Sequence, residues 1–339
     1  MSVLVVADPR VVDHDTGRGH PESPARYAAA VQGVSESGLI EAIEFVVPES
    51  CDPAAIVAVH DRAMVDAVES ACRVGGLLDA DTPVVPKSWE AALVAAGAGL
   101  TAVDHLASGD HEGAFCIVRP PGHHATRAES MGFCLFNNIA VTARALTARG
   151  ERVLIADVDA HHGNGTQDIF YDDPDVLFVS WHQWPLYPGT GALSDIGGPG
   201  AVGTTINLPM PPGATGDRYR RAFDEVVAPA IARFAPTWLL VSAGYDAHRS
   251  DPLTSLGLTS GDYADLVSDL MATVGASRTV CFLEGGYDLA AVTASTSATI
   301  SVLAGEPLHP ETPTGGGPGD AVVDAIVEFH RREGVLAPR

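Results

Sequence analysis

Five short apolar segments have the composition of buried β-strands, and polar side chains or glycines follow each of them within two residues. The segments are rich in Val, Leu, Ile and Phe and do not alternate with polar residues, which is typical of parallel strands buried on both faces. Helix-like segments separate them. The sequence therefore predicts strands that alternate with helices. The predicted strands are residues 114–118, 153–156, 176–179, 238–242 and 279–283.

Helix signals agree with this alternation. A Ser-Pro pair at the start of residues 23–34 and a Thr-Ser-Gly-Asp cap at the start of residues 259–274 each predict a helix. Residues 219–234 are amphipathic, and Pro229 predicts a kink in that helix. The pattern as a whole predicts an α/β fold, with a mostly parallel sheet covered by helices on both faces. Because the motifs extend along the whole chain, residues 1–339 are expected to form one domain.

The segment that follows predicted strand 153–156 has the side chains of a metal site. Asp157, Asp159 and His161 are two residues apart, so an extended backbone would direct them to the same side. Buried carboxylates are costly without a cation or hydrogen-bonding partners, and an Asp-x-His pair offers an oxygen and a nitrogen to one divalent ion. An Asp-rich turn that closes a strand is the alternative interpretation, but the added His-His-Gly favours a metal site.

Three other predicted strands end in similar turns, which combine glycine with His, Asp or Tyr. In open α/β sheets, ligands bind outside the carboxyl ends of the strands, so these turns are expected to converge on one pocket. Each turn alone would have an ordinary structural explanation. Only the presence of such a turn after every one of these strands indicates a site. The three turns are residues 119–124, 243–248 and 284–288.

In order and spacing, these motifs resemble the motif series of the histone deacetylase family. The resemblance covers about residues 10–305 and implies the arginase/deacetylase fold. Residues 20–26 and 251–253 resemble the class II branch, which includes bacterial deacetylases and acetylpolyamine amidohydrolases. The motifs are Pro-Pro-Gly-His-His-Ala (120–125), Gly-Phe-Cys-x-Phe-Asn (132–137), Asp-Val-Asp-Ala-His-His-Gly-Asn-Gly-Thr (157–166), Ala-Gly-Tyr-Asp-Ala-His (243–248) and Glu-Gly-Gly-Tyr (284–287).

The resemblance implies one zinc ion (Zn²⁺), bound by Asp159, His161 and Asp246. Three protein ligands leave a position for water and substrate, which is the pattern of a catalytic zinc site. Zinc would allow water to attack an amide near neutral pH. Because two of the three ligands are oxygens, iron(II) or cobalt(II) would also suit the site, and the sequence does not choose among them.

The resemblance also implies the groups that move protons. It makes His123 and His124 the tandem histidines, of which the second acts as general base and then as general acid. Asp157 is implied to accept a hydrogen bond from His123, and Asn164 to support His124. A neutral Asn should leave His124 less basic than the Asp of many class I relatives would. Tyr287 is implied to donate to the oxyanion of the tetrahedral intermediate.

The substrate-binding positions are implied in the same way. Gly132, Phe133 and Tyr187 match the wall of a narrow tunnel for the methylene chain of acyl-lysine, although buried aromatics are more often core residues. Asp81 matches a residue at the rim that binds the substrate backbone. Leu253 stands where polyamine-selective relatives have a Glu that binds a second ammonium group. A potassium or sodium ion near the zinc is also implied. Its matching positions are Asp157, Asp159, His161, Ser180 and Trp181.

Composition and charge restrict the partners. The chain has 20 basic and 43 acidic residues, a net charge of −23, which argues against direct DNA or RNA binding and favours cationic substrates. Its five cysteines are scattered and indicate no disulfide framework. Residues 91–103 are expected to form a tightly packed helix too short to cross a membrane. Residues 1–8 are expected to form a first strand rather than a signal peptide, so we expect a cytoplasmic enzyme without membrane association. A homo-oligomer is compatible with the sequence.

Four functions are compared on this basis. The first is zinc-dependent hydrolysis of an acetyl or related acyl amide on lysine or a lysine-like amine. The second has the same chemistry with an acetylpolyamine or other small acetylated amine as substrate. A two-manganese ureohydrolase would need further Asp ligands and fits the His-His pair poorly. A non-catalytic binder of acetylated ligands is disfavoured because every implied catalytic position is filled.

Overall fold

A computed structural model describes residues 2–336 of the chain, and its centre is a parallel sheet of eight strands. The strand order across the sheet is β2-β1-β5-β10-β9-β6-β7-β8, and a separate two-stranded ribbon pairs β3 with β4. The strands are β1 (Ser2–Ala7), β2 (Ile43–Val46), β3 (Gly76–Leu77), β4 (Pro83–Val84), β5 (His111–Ile117), β6 (Val153–Asp157), β7 (Val176–Gln183), β8 (Thr205–Met210), β9 (Trp238–Ala243) and β10 (Thr279–Leu283).

Helices connect the strands and cover both faces of the sheet. Adjacent residues of one strand contribute to different hydrophobic cores: Val5 packs in one core, and Leu4 and Val6 pack in the other. Such alternation requires apolar residues at every strand position. The α-helices are α1 (Ala25–Glu36), α2 (Pro53–Ile56), α3 (Arg62–Val74), α4 (Ser88–Ser108), α5 (Asn138–Thr147), α6 (Asn164–Phe170), α7 (Gly216–Ala222), α8 (Ala228–Phe234), α9 (Ser260–Val274), α10 (Leu289–Leu303) and α11 (Asp320–Arg332).

The predicted fold class is confirmed, and all five predicted strands are present. Every pairing in the large sheet is parallel. The five strands occupy neighbouring positions in the order β5-β10-β9-β6-β7, so their carboxyl ends lie side by side at one edge of the sheet. This arrangement places the turns after them next to one another.

Three local predictions need correction. Strand β6 ends at Asp157, so Asp159 and His161 lie in the following turn and are not directed by strand alternation. Helix α1 begins at Ala25, after the Ser-Pro pair that was expected to start it, and no side chain caps it. The predicted helix 219–234 is divided by a π-helical turn at Phe223–Val227, directly before α8. Pro229 cannot donate the hydrogen bond that a continuous α-helix needs there, which favours the wider turn.

Helix α4 is longer than the apolar segment predicted for it. With 21 residues it is long and apolar enough to cross a membrane by length and composition, so the prediction that it is too short was wrong. The predicted tight packing is confirmed. A Cβ atom on Gly97 would overlap the Glu49 carbonyl oxygen, and one on Gly99 would overlap Thr142 and Phe282. The helix thus lies against its neighbours at distances that only glycine permits.

Candidate active site

The three predicted zinc ligands converge at the carboxyl ends of β6 and β9. One ligand atom from each of Asp159, His161 and Asp246 lies within 4.8 Å of the others. His161 Nδ1 is 2.9 Å from Asp246 Oδ2 and 3.2 Å from Asp159 Oδ1. Burial alone would lower the pKa of His161, but the Asp246 and Asp159 carboxylates outweigh it and raise that pKa well above its ordinary value. Two buried carboxylates that face one imidazole nitrogen favour a positive charge between them, which a divalent cation would supply.

Main-chain N–H groups and glycines fix the two carboxylates of this cluster. Asp159 Oδ2 accepts from Gly285 N at 2.8 Å, and Asp246 Oδ1 accepts from Ala160 N at 2.7 Å. A Cβ atom on Gly244 would overlap Asp159, and one on Gly285 would overlap both carboxylates. The glycines are thus needed because the backbone passes directly against the ligand oxygens. Two oxygens and one nitrogen, buried and held in place, fit a zinc-type ion.

The tandem histidines have different partners. His123 Nδ1 lies 3.0 Å from Asp157 Oδ2, and His124 Nδ1 lies 2.7 Å from Asn164 Oδ1. Burial would lower the pKa of His123, but the Asp159 and Asp157 carboxylates raise it to about 10. For His124, burial and the two neighbouring imidazoles lower the pKa well below its ordinary value. His123 therefore favours the charged form and His124 the neutral form.

The hydrogen bond from His124 also selects its tautomer. The amide oxygen of Asn164 can only accept, so His124 Nδ1 donates and Nε2 retains its lone pair. The His124 ring lines a cavity beside the metal-ligand cluster and lies 4.0 Å, centroid to centroid, from the His123 ring. A neutral imidazole with a free nitrogen at the cavity is the form needed by a general base.

All five predicted substrate-binding residues line one cavity of about 320 Å³ that ends at the metal-ligand cluster. Rings of Phe133 and Tyr287 meet edge to face at 5.9 Å, and Tyr187 meets His124 in the same way at 5.3 Å. Burial raises the pKa of Tyr287 well above its ordinary value, so its hydroxyl remains a donor. The lining residues are Pro21, Asp81, His124, Gly132, Phe133, His161, Leu186, Tyr187, Leu253 and Tyr287.

Hydrogen bonds to neighbouring turns position the cavity walls. Asp79 accepts from Gly132 N at 3.2 Å, and Phe133 N donates to Thr82 Oγ1 at 3.0 Å. A hydrogen bond of 2.8 Å between His162 Nδ1 and Thr190 Oγ1 holds the loop that contains Tyr187. Both aromatic walls are therefore attached to the body of the protein close to the point where they face the cavity.

Of the five predicted monovalent-cation residues, Asp159 and His161 belong to the metal-ligand cluster, and the other three lie on the neighbouring strands β6 and β7. Asp157 pairs with Ser180 in the register of β6 and β7, and Trp181 follows on the same strand. Ser180 Oγ is 3.0 Å from His182 Nδ1. These residues are all buried. Cation binding by this set stays a prediction.

Two residues that support the site, Arg26 and Asp251, had no role predicted from the sequence. Arg26 donates through Nε to Gly286 O at 2.6 Å and through Nη2 to Glu284 O, and its guanidinium lies 5.3 Å from the centroid of the Tyr287 ring. Asp251 accepts from Tyr287 N at 2.7 Å. Each of them supports the turn that contains Tyr287. Their signal was present in motifs 20–26 and 251–253, but a motif alone does not show which turn a side chain reaches.

The fold and this arrangement of side chains at one edge of the sheet define a protein of the arginase/deacetylase class. The comparisons specify the family. Residues 20–303 match the histone deacetylase domain. A histone deacetylase 10, chloroplastic, of Oryza sativa subsp. japonica is 41% identical over 314 residues, which are 85% of this chain and 70% of the relative.

Two further comparisons agree. A histone deacetylase-like amidohydrolase of Pseudomonas aeruginosa is 36% identical over 297 residues, covering 85% of this chain and 77% of the relative. The crystal structure of the HDA15 HD domain has a TM-score of 0.89 and 34% identity, and the match covers 98% of this chain and 94% of that one. The chain belongs to the histone deacetylase family, and it is a hydrolase that acts on acetylated amides.

Proposed function

We propose that the protein is a zinc-dependent deacetylase that removes acetyl groups from lysine or a lysine-like amine. The observation that supports this most directly is a single cavity lined by His161 of the metal-ligand cluster, by His124 and by Tyr287. A donor set, a proton acceptor and a hydroxyl donor at the end of one narrow cavity are the groups that amide hydrolysis needs.

Zinc bound by Asp159, His161 and Asp246 would polarise the amide carbonyl and lower the pKa of a bound water molecule. We also propose that a potassium or sodium ion binds beside the zinc. His124 Nε2 takes a proton from the attacking water and later gives it to the leaving amine. The Tyr287 hydroxyl donates to the carbonyl oxygen as negative charge develops there. Phe133 and Tyr187 flank the methylene chain of the amine.

An acetylated polyamine is the second candidate substrate, and the carboxylates at the cavity mouth favour it. Asp81 lines the mouth, and Asp79 lies beside it with Oδ1 accepting from Asp81 N at 3.0 Å. A cationic amine would be attracted to this pair, and the net charge of −23 acts in the same direction. Leu253 opposes this assignment, because it places an apolar side chain at the same mouth.

Release of acetate by the purified, zinc-loaded protein tests the proposal. The substrates are acetyl-lysine peptides, N-acetylputrescine and N-acetylspermidine, and His124→Ala is the control variant because it removes the proton acceptor and leaves the ligands in place. We expect turnover by the wild type and a loss of at least about 10²-fold in the variant. No acetate from any substrate, with binding retained, would identify a non-catalytic binder instead.

A further inference from the structure

The segment between helices α10 and α11, residues 304–319, lies outside residues 20–303, which match the histone deacetylase domain. We call it the connecting segment. It is held on helix α9, where Thr314 donates to Asp262 from its main-chain N at 2.9 Å and from its Oγ1 at 2.7 Å. The connecting segment is therefore part of the packed fold, and it reaches the turn after β9.

Glu311 of the connecting segment binds His248, the last residue of the Ala-Gly-Tyr-Asp-Ala-His motif. Its Oε2 lies 2.6 Å from His248 Nε2 and also accepts from Ser260 N at 3.2 Å and from Ser260 Oγ at 3.1 Å. Its Oε1 accepts from Arg249 Nη2 at 2.8 Å. The side chain of His248 is 4% exposed and that of Arg249 is 56% exposed. The contact with His248 is therefore shielded from solvent, and the pair with Arg249 is not.

The other nitrogen of the His248 ring holds the turn itself. Ser250 N donates to His248 Nδ1 at 3.2 Å, so Nδ1 is an acceptor and the ring donates to Glu311 through Nε2. The main-chain oxygen of His248 accepts from Asp251 N at 2.9 Å. One imidazole thus links the connecting segment to the backbone of the turn after β9.

The turn held in this way contains two positions that matter for the site. Asp246 of the metal-ligand cluster stands two residues before His248. Asp251 stands three residues after it and accepts from Tyr287 N at 2.7 Å. We propose that Glu311, acting through His248, is a positioning residue that holds Asp246 in the geometry needed to bind the metal. Partners outside the ligand set commonly orient ligands in this way. This inference rests on the metal site of the proposed function.

The zinc affinity of the purified protein, measured by competition with a chelator, tests this inference without any substrate. Glu311→Ala removes the acceptor of His248 Nε2 and should weaken zinc binding about tenfold or more. Glu311→Gln is the matched rescue, because its amide oxygen still accepts from His248 and Ser260, and its zinc affinity should stay within about threefold of wild type. His309→Ala is the control for the connecting segment. It breaks the 2.8 Å contact with Asp265 on α9 and should leave zinc affinity unchanged.

A double variant separates an effect through His248 from a general loosening of the connecting segment. If Glu311 acts through His248, His248→Ala should weaken zinc binding by a similar factor, and the two changes together should cost little more than either alone. Fully additive losses would show that Glu311 acts through its other contacts, and an equal loss in His309→Ala would show that Glu311 has no particular role. Either result overturns the inference.

Unchanged zinc affinity in Glu311→Ala also overturns it. If that variant does not fold, Glu311→Asp takes its place, because its side chain is one methylene shorter and cannot keep the same contacts. It should weaken zinc binding at least about threefold, and an unchanged affinity there counts against the inference. A wild type that binds zinc but releases no acetate refutes the deacetylase proposal alone. A wild type that binds no divalent ion refutes both.

Discussion

Asp251 connects Tyr287 to Leu253 through main-chain hydrogen bonds. Its Oδ2 accepts from Tyr287 N at 2.7 Å, and its Oδ1 accepts from Leu253 N at 2.9 Å. The carboxylate thus joins the turn after β10, where Tyr287 lines the inner end of the cavity, to the turn after β9, where Leu253 lines the mouth. One carboxylate therefore positions the main chain at both Tyr287 and Leu253.

Replacing Tyr287 with Phe should lower kcat by about 10² or more. The ring would keep its contacts with Phe133 and Arg26, so the change removes only the hydroxyl donor. Steady-state kinetics and metal analysis are the measurements, and metal content should not change. Tyr187→Phe is the matched control, because it removes a hydroxyl from the opposite wall, and we expect less than about a threefold effect. Equal losses in both variants would mean that Tyr287 has no special role.

Removal of the metal should abolish activity, and one divalent ion per chain should restore it. The three donors lie within 4.8 Å of one another, and their two carboxylates are buried with one imidazole between them, which suits a single ion. Asp246→Asn should reduce metal content and activity together. Metal analysis of the purified protein provides the measurement, and two bound transition metals per chain would contradict the mononuclear site.

Much of the site was predictable because its residues are contiguous in the sequence and follow apolar strands. Asp159, His161 and Asp246 could be placed at one edge of a sheet from the spacing of such segments. The partners of the buried arginine could not. Arg26 reaches Glu284 across 258 residues, and no local pattern specifies such a contact. Pairing over that separation depends on the packed fold, so the support of the Tyr287 turn emerged only from the structure.

Replacement of Glu22 should strongly destabilise the protein. Glu22 binds Arg119 Nε at 2.5 Å and Arg26 Nη1 at 3.1 Å, and all three side chains are 0% exposed. Glu22→Gln leaves two buried guanidinium groups incompletely paired, which typically costs about 3–5 kcal/mol. Urea unfolding measures the change. Glu44→Gln is the control, because Glu44 is 54% exposed in its pair with His111 and should contribute less than about 1 kcal/mol.

The same carboxylate predicts how stability depends on pH. Burial would raise the pKa of Glu22, but Arg119 and Arg26 lower it to about 2, below the value of about 4.3 expected for an unfolded chain. A depressed folded-state pKa stabilises the protein above the unfolded value, and this contribution is lost as the pH falls from about 4.5 towards 2. Unfolding midpoints of wild type and Glu22→Gln should therefore converge as the pH falls through that window. A constant difference would show that Glu22 is not the responsible group.

Leu253→Glu should shift preference from acyl-lysine peptides towards acetylpolyamines. Leu253 lines the mouth of the cavity, and its main chain is held by Asp251, so a carboxylate there would face the distal ammonium group of a bound acetylpolyamine. An acetyl-lysine side chain in a peptide has no such charge. Because Leu253 is 41% exposed, solvent screens the new ion pair, and we expect about a tenfold change in the ratio of kcat/KM values rather than a larger one.

Leu253→Gln separates charge from size in this test, since it is close in volume to Glu and neutral. It should leave the substrate ratio near that of the wild type, and the effect of Glu should weaken with added salt, as expected for a partly exposed pair. The wild type should itself prefer acyl-lysine peptides. Preference of the wild type for N-acetylputrescine or N-acetylspermidine over every peptide would mean that another carboxylate at the mouth selects the substrate. Asp81 is the candidate, because its carboxylate lies at the same mouth, and Asp81→Asn would then abolish that preference.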